Sequence, residues 1–276
     1  MSLFKNNSRH QIFTDGREEI NKKQKTILWQ TFLKAGIGFV IIGILAFVFG
    51  QIWISSFLKA IDPYNFSNRL VLIVLLTGIG LILVSCIVSS IWLTNPFYYS
   101  FGFTLTVWIL FILCESVGFS LIIFLFSAPL MLVAFGIAAA VCFIFSIIGY
   151  SLSQKTAITI QKAQIVCSFI AFGLLLASLI TSIVLIATAR SIAFMNISLW
   201  IYFITFSVML LLLILSLMQL VSQIKASSEF AQIADDSDRK VVGKISWFFG
   251  YILLCQFIQI VWFVIYILII ISRFRR

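Results

Sequence analysis

A few polar side chains in this chain lie inside long apolar segments, where their chemistry has the greatest consequence. Glu115 is the one acidic residue deep within an apolar run. Gln256 and Gln259 lie three residues apart in Ile245–Ile271, a segment of 27 residues without a charge. Residues three apart share one side of a helix, and amide oxygens can coordinate a cation. This spacing predicts either an ion pathway lined by amides or a contact between helices.

Both interpretations stay open at each of these positions. An ionisable residue at membrane depth is by default a candidate functional residue, but a carboxyl group can equally hold two helices together. Buried amides likewise form interhelical hydrogen bonds, each contributing about 1 kcal/mol in membranes. Gln219, at the end of another apolar segment, is a candidate for the same region. The ion-pathway candidates are Glu115, Gln219, Gln256 and Gln259.

Cysteine and histidine give no indication of a metal site or of a disulfide framework. Each cysteine lies in an apolar run and no two have the CxxC spacing, so we expect them to act as small core residues. The single histidine, His10, lies in the polar N-terminal segment without neighbouring ligands. The cysteines are Cys86, Cys114, Cys142, Cys167 and Cys255.

Other catalytic patterns are missing from the sequence. Asp235, Asp236 and Asp238 form an acidic cluster, but the glycine and terminal glutamate of a calcium-binding loop are not at the required offsets. A solvated loop is the simpler interpretation. We find no glycine-rich phosphate loop, no HExxH motif and no pair of nucleophile and base. The chain is therefore not expected to be an enzyme or to hold a cofactor.

The composition is that of a membrane protein. Of 276 residues, 62% are hydrophobic and 10% are charged, and the mean hydropathy is +1.15. A soluble domain has about 25% charged residues. The net charge is +10, but the cations lie in the tails and in short loops between apolar runs. That distribution favours anchoring at a membrane surface over binding of nucleic acid.

The apolar runs predict an all-α, polytopic membrane protein with seven transmembrane helices around a central last helix. Each run has about the length that a bilayer core requires. A polar, basic tail of residues 1–26 precedes the transmembrane domain of residues 27–276. The polar stretches between spans, including one with Lys155 and Lys162 and another over Ser222–Lys244, are expected to be loops. The predicted spans are 35–54, 70–92, 100–126, 128–148, 165–188, 197–221 and 245–271.

Charge predicts the orientation in the membrane. With the N-terminus in the cytoplasm and seven crossings, and with Lys34 at the start of the first span left aside, 12 Lys and Arg residues lie inside and 6 outside, as the positive-inside rule requires. Arg273, Arg275 and Arg276 then fall on the outer side, which a re-entrant last segment would avoid. The length of that segment instead favours a full crossing. We expect a multi-pass protein of the cell membrane, or of an organelle membrane in a eukaryote.

Four segments resemble those of the Bax inhibitor-1 family of seven-helix membrane proteins. SLMQLVSQIK (Ser216–Lys225) is similar to a sixth-helix motif of that family, and LLCQFIQIV (Leu253–Val261) to a motif of its last helix. ESVGFSL (Glu115–Leu121) resembles part of the third helix. The run AFGIAAAVCFIFSIIGYSLSQKTAI resembles the fourth helix and its basic loop. The resemblance covers the hydrophobic body, about residues 27–272.

This resemblance implies a calcium-leak channel, with calcium or another cation as its cargo. In that family, an aspartate of the sixth helix and one of the last helix share a proton and confer sensitivity to pH. Leu220 and Gln256 stand at these two positions here, and Gln259 matches a following asparagine. Leu and Gln do not titrate, so the resemblance does not carry the pH switch over to this chain.

A second hypothesis is a non-conducting membrane interaction protein, such as a regulator of a membrane-bound protease. Its partner would bind the charged N-terminal segment Met1–Lys25. Deletion of that segment would abolish a regulatory role and leave an ion leak intact. Under both hypotheses the protein is embedded in the lipid bilayer and binds no nucleic acid.

Overall fold

The computed structural model describes residues 4–60, 76, 80, 83, 84, 87–92, 100–125, 128–187, 192–230 and 239–274 of the chain. Helices account for nearly all of these residues. We number the helices in chain order. For α2, the continuous part that the structure describes is residues 87–92. The others are α1 (Phe4–Ala60), α3 (Phe101–Leu125), α4 (Ala128–Ser151), α5 (Gln154–Ala187), α6 (Ile192–Phe230) and α7 (Arg239–Phe274).

Six of these helices are long and apolar enough to cross a membrane within the described part of the chain. The chain is therefore a polytopic α-helical membrane protein. Most of the predicted second span, 70–92, lies outside the described residues, and its described positions are helical. The apolar segments are Ile27–Ser55, Phe101–Ile123, Ala128–Ser151, Lys155–Val184, Ile197–Ala226 and Gly243–Ser272.

Polar side chains and a proline mark where helices begin. The Ser100 hydroxyl accepts a hydrogen bond from the Phe103 amide (3.3 Å), and the Ser153 hydroxyl accepts one from the Thr156 amide (3.3 Å). These contacts cap α3 and α5, because the first amides of a helix have no carbonyl partner of their own. Pro129 is the second residue of α4, where a missing amide hydrogen does little harm.

Five of the helices extend beyond their predicted apolar spans, and two predicted loops are corrected. Lys155 and Lys162 lie in α5, since Ser153 caps that helix and lysine is a good helix former. The polar stretch Ser222–Lys244 is in part helical, because α6 continues to Phe230 and α7 begins at Arg239. Hydropathy predicts where a helix lies in lipid, not where its backbone hydrogen bonds end.

The first helix also includes most of the predicted tail. α1 is continuous from Phe4, so residues 4–26 precede the apolar segment in the same helix. At 1.5 Å per residue, this polar part is about 35 Å long.

Contacts between side chains give the directions of the helices. α1 and α7 run parallel, since Lys34 contacts Ser246 and Phe39 contacts Phe257. α1 and α3 also run parallel, because Gly38 lies beside Trp108 and Gly50, later in α1, lies beside Ile123, later in α3. A Cβ atom added to Gly38 would lie 3.0 Å from Trp108, and one added to Gly50 would lie 2.9 Å from Ile123.

The even helices α4 and α6 run opposite to this set. Phe39 of α1 packs on Phe135 of α4 (ring centroids 5.0 Å apart). Residues 28–40 of α1 line a crevice with residues 139–150 of α4, whereas residues 40–48 line another with residues 128–135. Phe206 of α6 stacks on Tyr266 of α7, whereas Ser216, later in α6, lies beside Gln256, earlier in α7. This alternation of direction is what successive membrane crossings produce.

α7 lies at the centre of the described bundle. It packs against α1, α3, α4 and α6, whereas α5 packs mainly on α6. Its side chains Leu253, Leu254, Ile260 and Val261 are completely buried. α7 is also one continuous helix through Phe274, so the predicted last segment contains no hairpin. The orientation of the bundle in the membrane stays a prediction.

Candidate functional site

Glu115 lies in the core of the bundle, where α3 meets α7. Its side chain is 7% exposed, and the indole Nε1 of Trp262 donates a hydrogen bond to its Oε2 (3.3 Å). Phe119, one helical turn after Glu115, stacks against the Trp262 ring with centroids 4.6 Å apart and an interplanar angle of 24°. Two neighbouring residues of α3 therefore fix both the plane of the indole and the direction of its N–H.

The chemistry of this arrangement is that of a helix–helix contact. A buried carboxyl group without a partner is costly in an apolar medium, and Trp262 supplies one donor. This pair could not be predicted from the sequence, because the two residues are 147 positions apart and each lies in an apolar run.

Gln256 lies between α7 and α6. Its Nε2 donates to the hydroxyl of Ser216 over 3.4 Å, which is long for such a bond. Its Oε1 is buried and has no partner in the described part of the chain. The amide nitrogen of Gln256 therefore joins two helices, and its amide oxygen is an acceptor without a donor.

Gln259 does not share that environment, although it lies less than one turn away. Its side chain is exposed, and the described structure gives it no hydrogen-bond partner. The apolar segment of α7 is Gly243–Ser272, so Gln259 lies near its middle. The two amides were expected to share one face, and they do lie on neighbouring sides. However, Gln259 is exposed at the surface of the bundle, whereas Gln256 is half-buried.

Gln219 lies elsewhere, in a shallow surface cleft between α5 and α6. The cleft is about 290 Å³ and is lined also by Gln161, Ser222 and Gln223. Neither Gln256 nor Glu115 is among its lining residues. The structure therefore separates the four candidate residues: Glu115 lies beside α7, Gln256 beside α6, Gln219 in the cleft between α5 and α6, and Gln259 on the outer side of α7.

Hydrogen bonds between polar side chains join most of the packed helices. The hydroxyl groups of Ser182 in α5 and Tyr202 in α6 are 2.5 Å apart. Lys34 of α1 donates to Ser246 of α7. Tyr251 of α7 donates to Ser89 of α2. Each of these bonds satisfies a polar group that lipid cannot. Other buried hydroxyl groups, such as those of Ser116 and Thr181, donate instead to a carbonyl of their own helix.

The remaining chemical candidates show no further site. Cys114 and Cys142 are buried and Cys167 and Cys255 are half-buried, and these four form no disulfide. Groups of three or more possible metal ligands are not found within the described residues. Cys86, the His10 side chain and the acidic cluster at Asp235, Asp236 and Asp238 lie outside the described part.

Comparison of the chain with models of protein families, with curated proteins and with solved structures finds no match. The resemblance to the Bax inhibitor-1 family therefore stays a prediction from four short motifs.

Proposed function

We propose that this protein is a non-conducting membrane interaction protein, whose bundle binds a membrane-spanning helix of a partner through the outer side of α7. The observation that carries the proposal is the exposed amide of Gln259 near the middle of the apolar segment of α7. An amide in hydrocarbon without a hydrogen-bond partner is costly. A polar group on a second helix would remove that cost, and such bonds hold membrane helices together.

The surroundings of Gln259 fit a helix-binding surface. Tyr266 lies on nearly the same side of α7, because it follows Gln259 by seven residues, or about two helical turns. Its side chain is 42% exposed. Phe206 of α6 stacks on the Tyr266 ring with centroids 5.0 Å apart and an interplanar angle of 10°. The result is an aromatic surface beside a single amide. The amide would orient the partner helix through a hydrogen bond, and the aromatic rings would pack against that helix.

The polar part of α1 offers a second contact for the same function. Residues 4–26 continue the first membrane span as one helix. They carry six Lys and Arg residues and three acidic residues. A partner that binds this helix outside the membrane would be held beside the bundle, which is the role predicted for the N-terminal segment.

Site-specific photo-crosslinking in native membranes tests the proposal. A photoreactive residue at Tyr266 is expected to give a discrete protein adduct. Gln259→Leu should reduce that adduct about fivefold, since an interhelical hydrogen bond contributes about 1 kcal/mol.

Gln256→Leu is the matched control, because the same amide is replaced on the inner side of the same helix. A photoreactive residue at Phe169, which is 75% exposed on α5, gives the background from lipid. Adducts at Tyr266 that do not exceed this background, or that persist in Gln259→Leu, would rule out the α7 surface.

The second candidate function is the ion leak that the family resemblance implies. The unpartnered Oε1 of Gln256 and the buried carboxyl of Glu115 favour it, because both oxygens are cation ligands. Against it, the two residues contact different helices, α6 and α7 respectively.

A further inference from the structure

An apolar crevice of the described bundle runs between α1 and α4, which lie side by side without close backbone packing. Its volume is about 700 Å³, and it opens at the outer surface of the bundle. Trp29, Phe32 and Val40 of α1 line one wall, Phe143 and Ile147 of α4 line the other. Phe257 of α7 also lines it. The lining is almost entirely apolar.

The length of the crevice corresponds to one leaflet of a bilayer. On α4 the lining residues run from Ala139 to Tyr150, which is about 16 Å at 1.5 Å per residue. Half of a bilayer core is about 15 Å. Phe135 of α4 packs against Phe39 at the deep end of the crevice, 5.0 Å between ring centroids. The crevice therefore reaches from one surface of the membrane to about its middle, where a second apolar hollow between the same two helices begins.

Ser146 is an unpartnered polar group within this apolar lining. Its side chain is 6% exposed, and its hydroxyl has no hydrogen-bond partner among the described residues. Other serines of these helices donate to a carbonyl one turn earlier, as Ser116 does to Ile112 and Ser168 to Gln164. Ser146 instead lines the crevice and leaves its hydroxyl unused, so a hydrogen-bond acceptor on a ligand beside it would satisfy this group.

The mouth of the crevice carries a positive charge. Tyr150, one turn beyond Ser146, lines it. The Lys225 ammonium group lies 3.1 Å from the Tyr150 carbonyl oxygen and 5.1 Å from the centroid of the Tyr150 ring. Lys225 belongs to the last turn of the apolar segment of α6, which ends at Ala226. A cation at a membrane surface between helices is suited to the headgroup of an anionic lipid.

We propose that the crevice between α1 and α4 binds one anionic phospholipid, with an acyl chain along the apolar walls, an ester carbonyl at the Ser146 hydroxyl and the phosphate near Lys225. Tyr150 and Ser146 are four residues apart, or about 6 Å along the helix. The phosphate and the ester groups of a phospholipid are likewise separated along the membrane normal. The assignment is independent of the partner surface on α7.

Thermal unfolding of the purified full-length protein in detergent tests the lipid site. Phosphatidylglycerol is expected to raise the Tm by about 4 °C at saturation. Phosphatidylcholine with the same chains should give a smaller shift, and inorganic phosphate should give none. Ser146→Ala should weaken the apparent affinity for phosphatidylglycerol about fivefold, as the loss of one hydrogen bond requires. Lys225→Gln should abolish the preference for phosphatidylglycerol over phosphatidylcholine.

Gly36 provides a variant that fills the crevice. It lines the α1 wall, and a Cβ atom added there meets nothing within 4 Å. Gly36→Leu should therefore fold and lose the lipid-dependent shift. Gly173→Leu on α5 is the matched control, because Gly173 is exposed and equally open. It should keep the shift.

Three results would overturn the proposal. The first is an apparent affinity for phosphatidylglycerol that Ser146→Ala leaves unchanged, or a Tm shift that folded Gly36→Leu keeps in full. The second is an equal shift with inorganic phosphate alone, which would indicate a surface anion site. The third is an oligomer in lipid nanodiscs that Gly36→Leu dissociates, which would indicate a helix from a second copy in the crevice. Ser146→Ala keeps the test decisive if Gly36→Leu fails to fold.

Discussion

Gly149→Leu is expected to destabilise the folded bundle by about 3 kcal/mol. A Cβ atom at Gly149 would lie 2.8 Å from the carbonyl oxygen of Met218 and 3.0 Å from its Cα atom. Both are backbone atoms of α6, so no rotation of a side chain can relieve the overlap. α4 and α6 would have to separate, and the contact between Lys225 and Tyr150 beside this point would be lost. Unfolding of the purified protein in a denaturing detergent measures the effect.

Gly136→Leu is the control for this prediction. Gly136 lies in the same helix, and a Cβ atom there meets nothing within 4 Å. The two substitutions gain the same helix propensity, about 1 kcal/mol relative to glycine. The difference between the unfolding free energies of the two variants therefore measures the cost of the overlap between α4 and α6. Equal stability of the two variants would contradict the packing of these helices as described.

Trp262→Phe is expected to cost about 2 kcal/mol of stability. Phenylalanine keeps an aromatic ring against Phe119, but it removes the indole N–H that donates to Glu115. The cost arises because one buried acceptor of the carboxyl group is left without its donor. The free energy of unfolding of the single and double variants measures it.

The double variant Trp262→Phe with Glu115→Leu gives the decisive comparison. Replacement of both partners by apolar groups is often nearly neutral, so the second change should recover most of the stability lost in the first. A carboxyl group that serves as an ion ligand gives a different result: Glu115→Leu would then stabilise the protein equally with and without Trp262. Additive effects of the two changes would thus argue against a structural pair.

The sequence predicts the class of this fold well, and the reason is physical. Twenty or more apolar residues in a row have few places to lie except a membrane, and in a membrane only helices satisfy their own backbone. Four of the described helices, α1, α4, α6 and α7, therefore contain their predicted spans, and α3 and α5 cover theirs to within one residue of each end. The ends of the helices were predicted less well, because charged residues such as Lys155 and Arg239 can continue a helix outside the hydrocarbon core.

The neighbours of each side chain could not be predicted from a single sequence. Gln256 and Gln259 both lie in the same apolar run, but only the position of α6 decides that one is half-buried and the other exposed. In the same way, nothing in the sequence relates Glu115 to Trp262.

One signal in the sequence did point to a packing surface. The buried stripe of α4 consists largely of small residues at intervals of three or four, a pattern typical of close helix approach. Its buried residues are Met131, Ala134, Ala138, Cys142, Ser146 and Gly149. This stripe predicts the contact of α4 with other helices, although it does not identify α6 as the neighbour.

Cation flux from proteoliposomes shows whether the polar groups within the bundle conduct ions. We expect that they only hold helices together. Purified protein in liposomes loaded with calcium should release it no faster than protein-free liposomes, at both pH 6 and pH 8. A leak that exceeds this background, and that both Gln256→Leu and Glu115→Gln reduce in folded protein, would contradict the account and establish the ion pathway in its place.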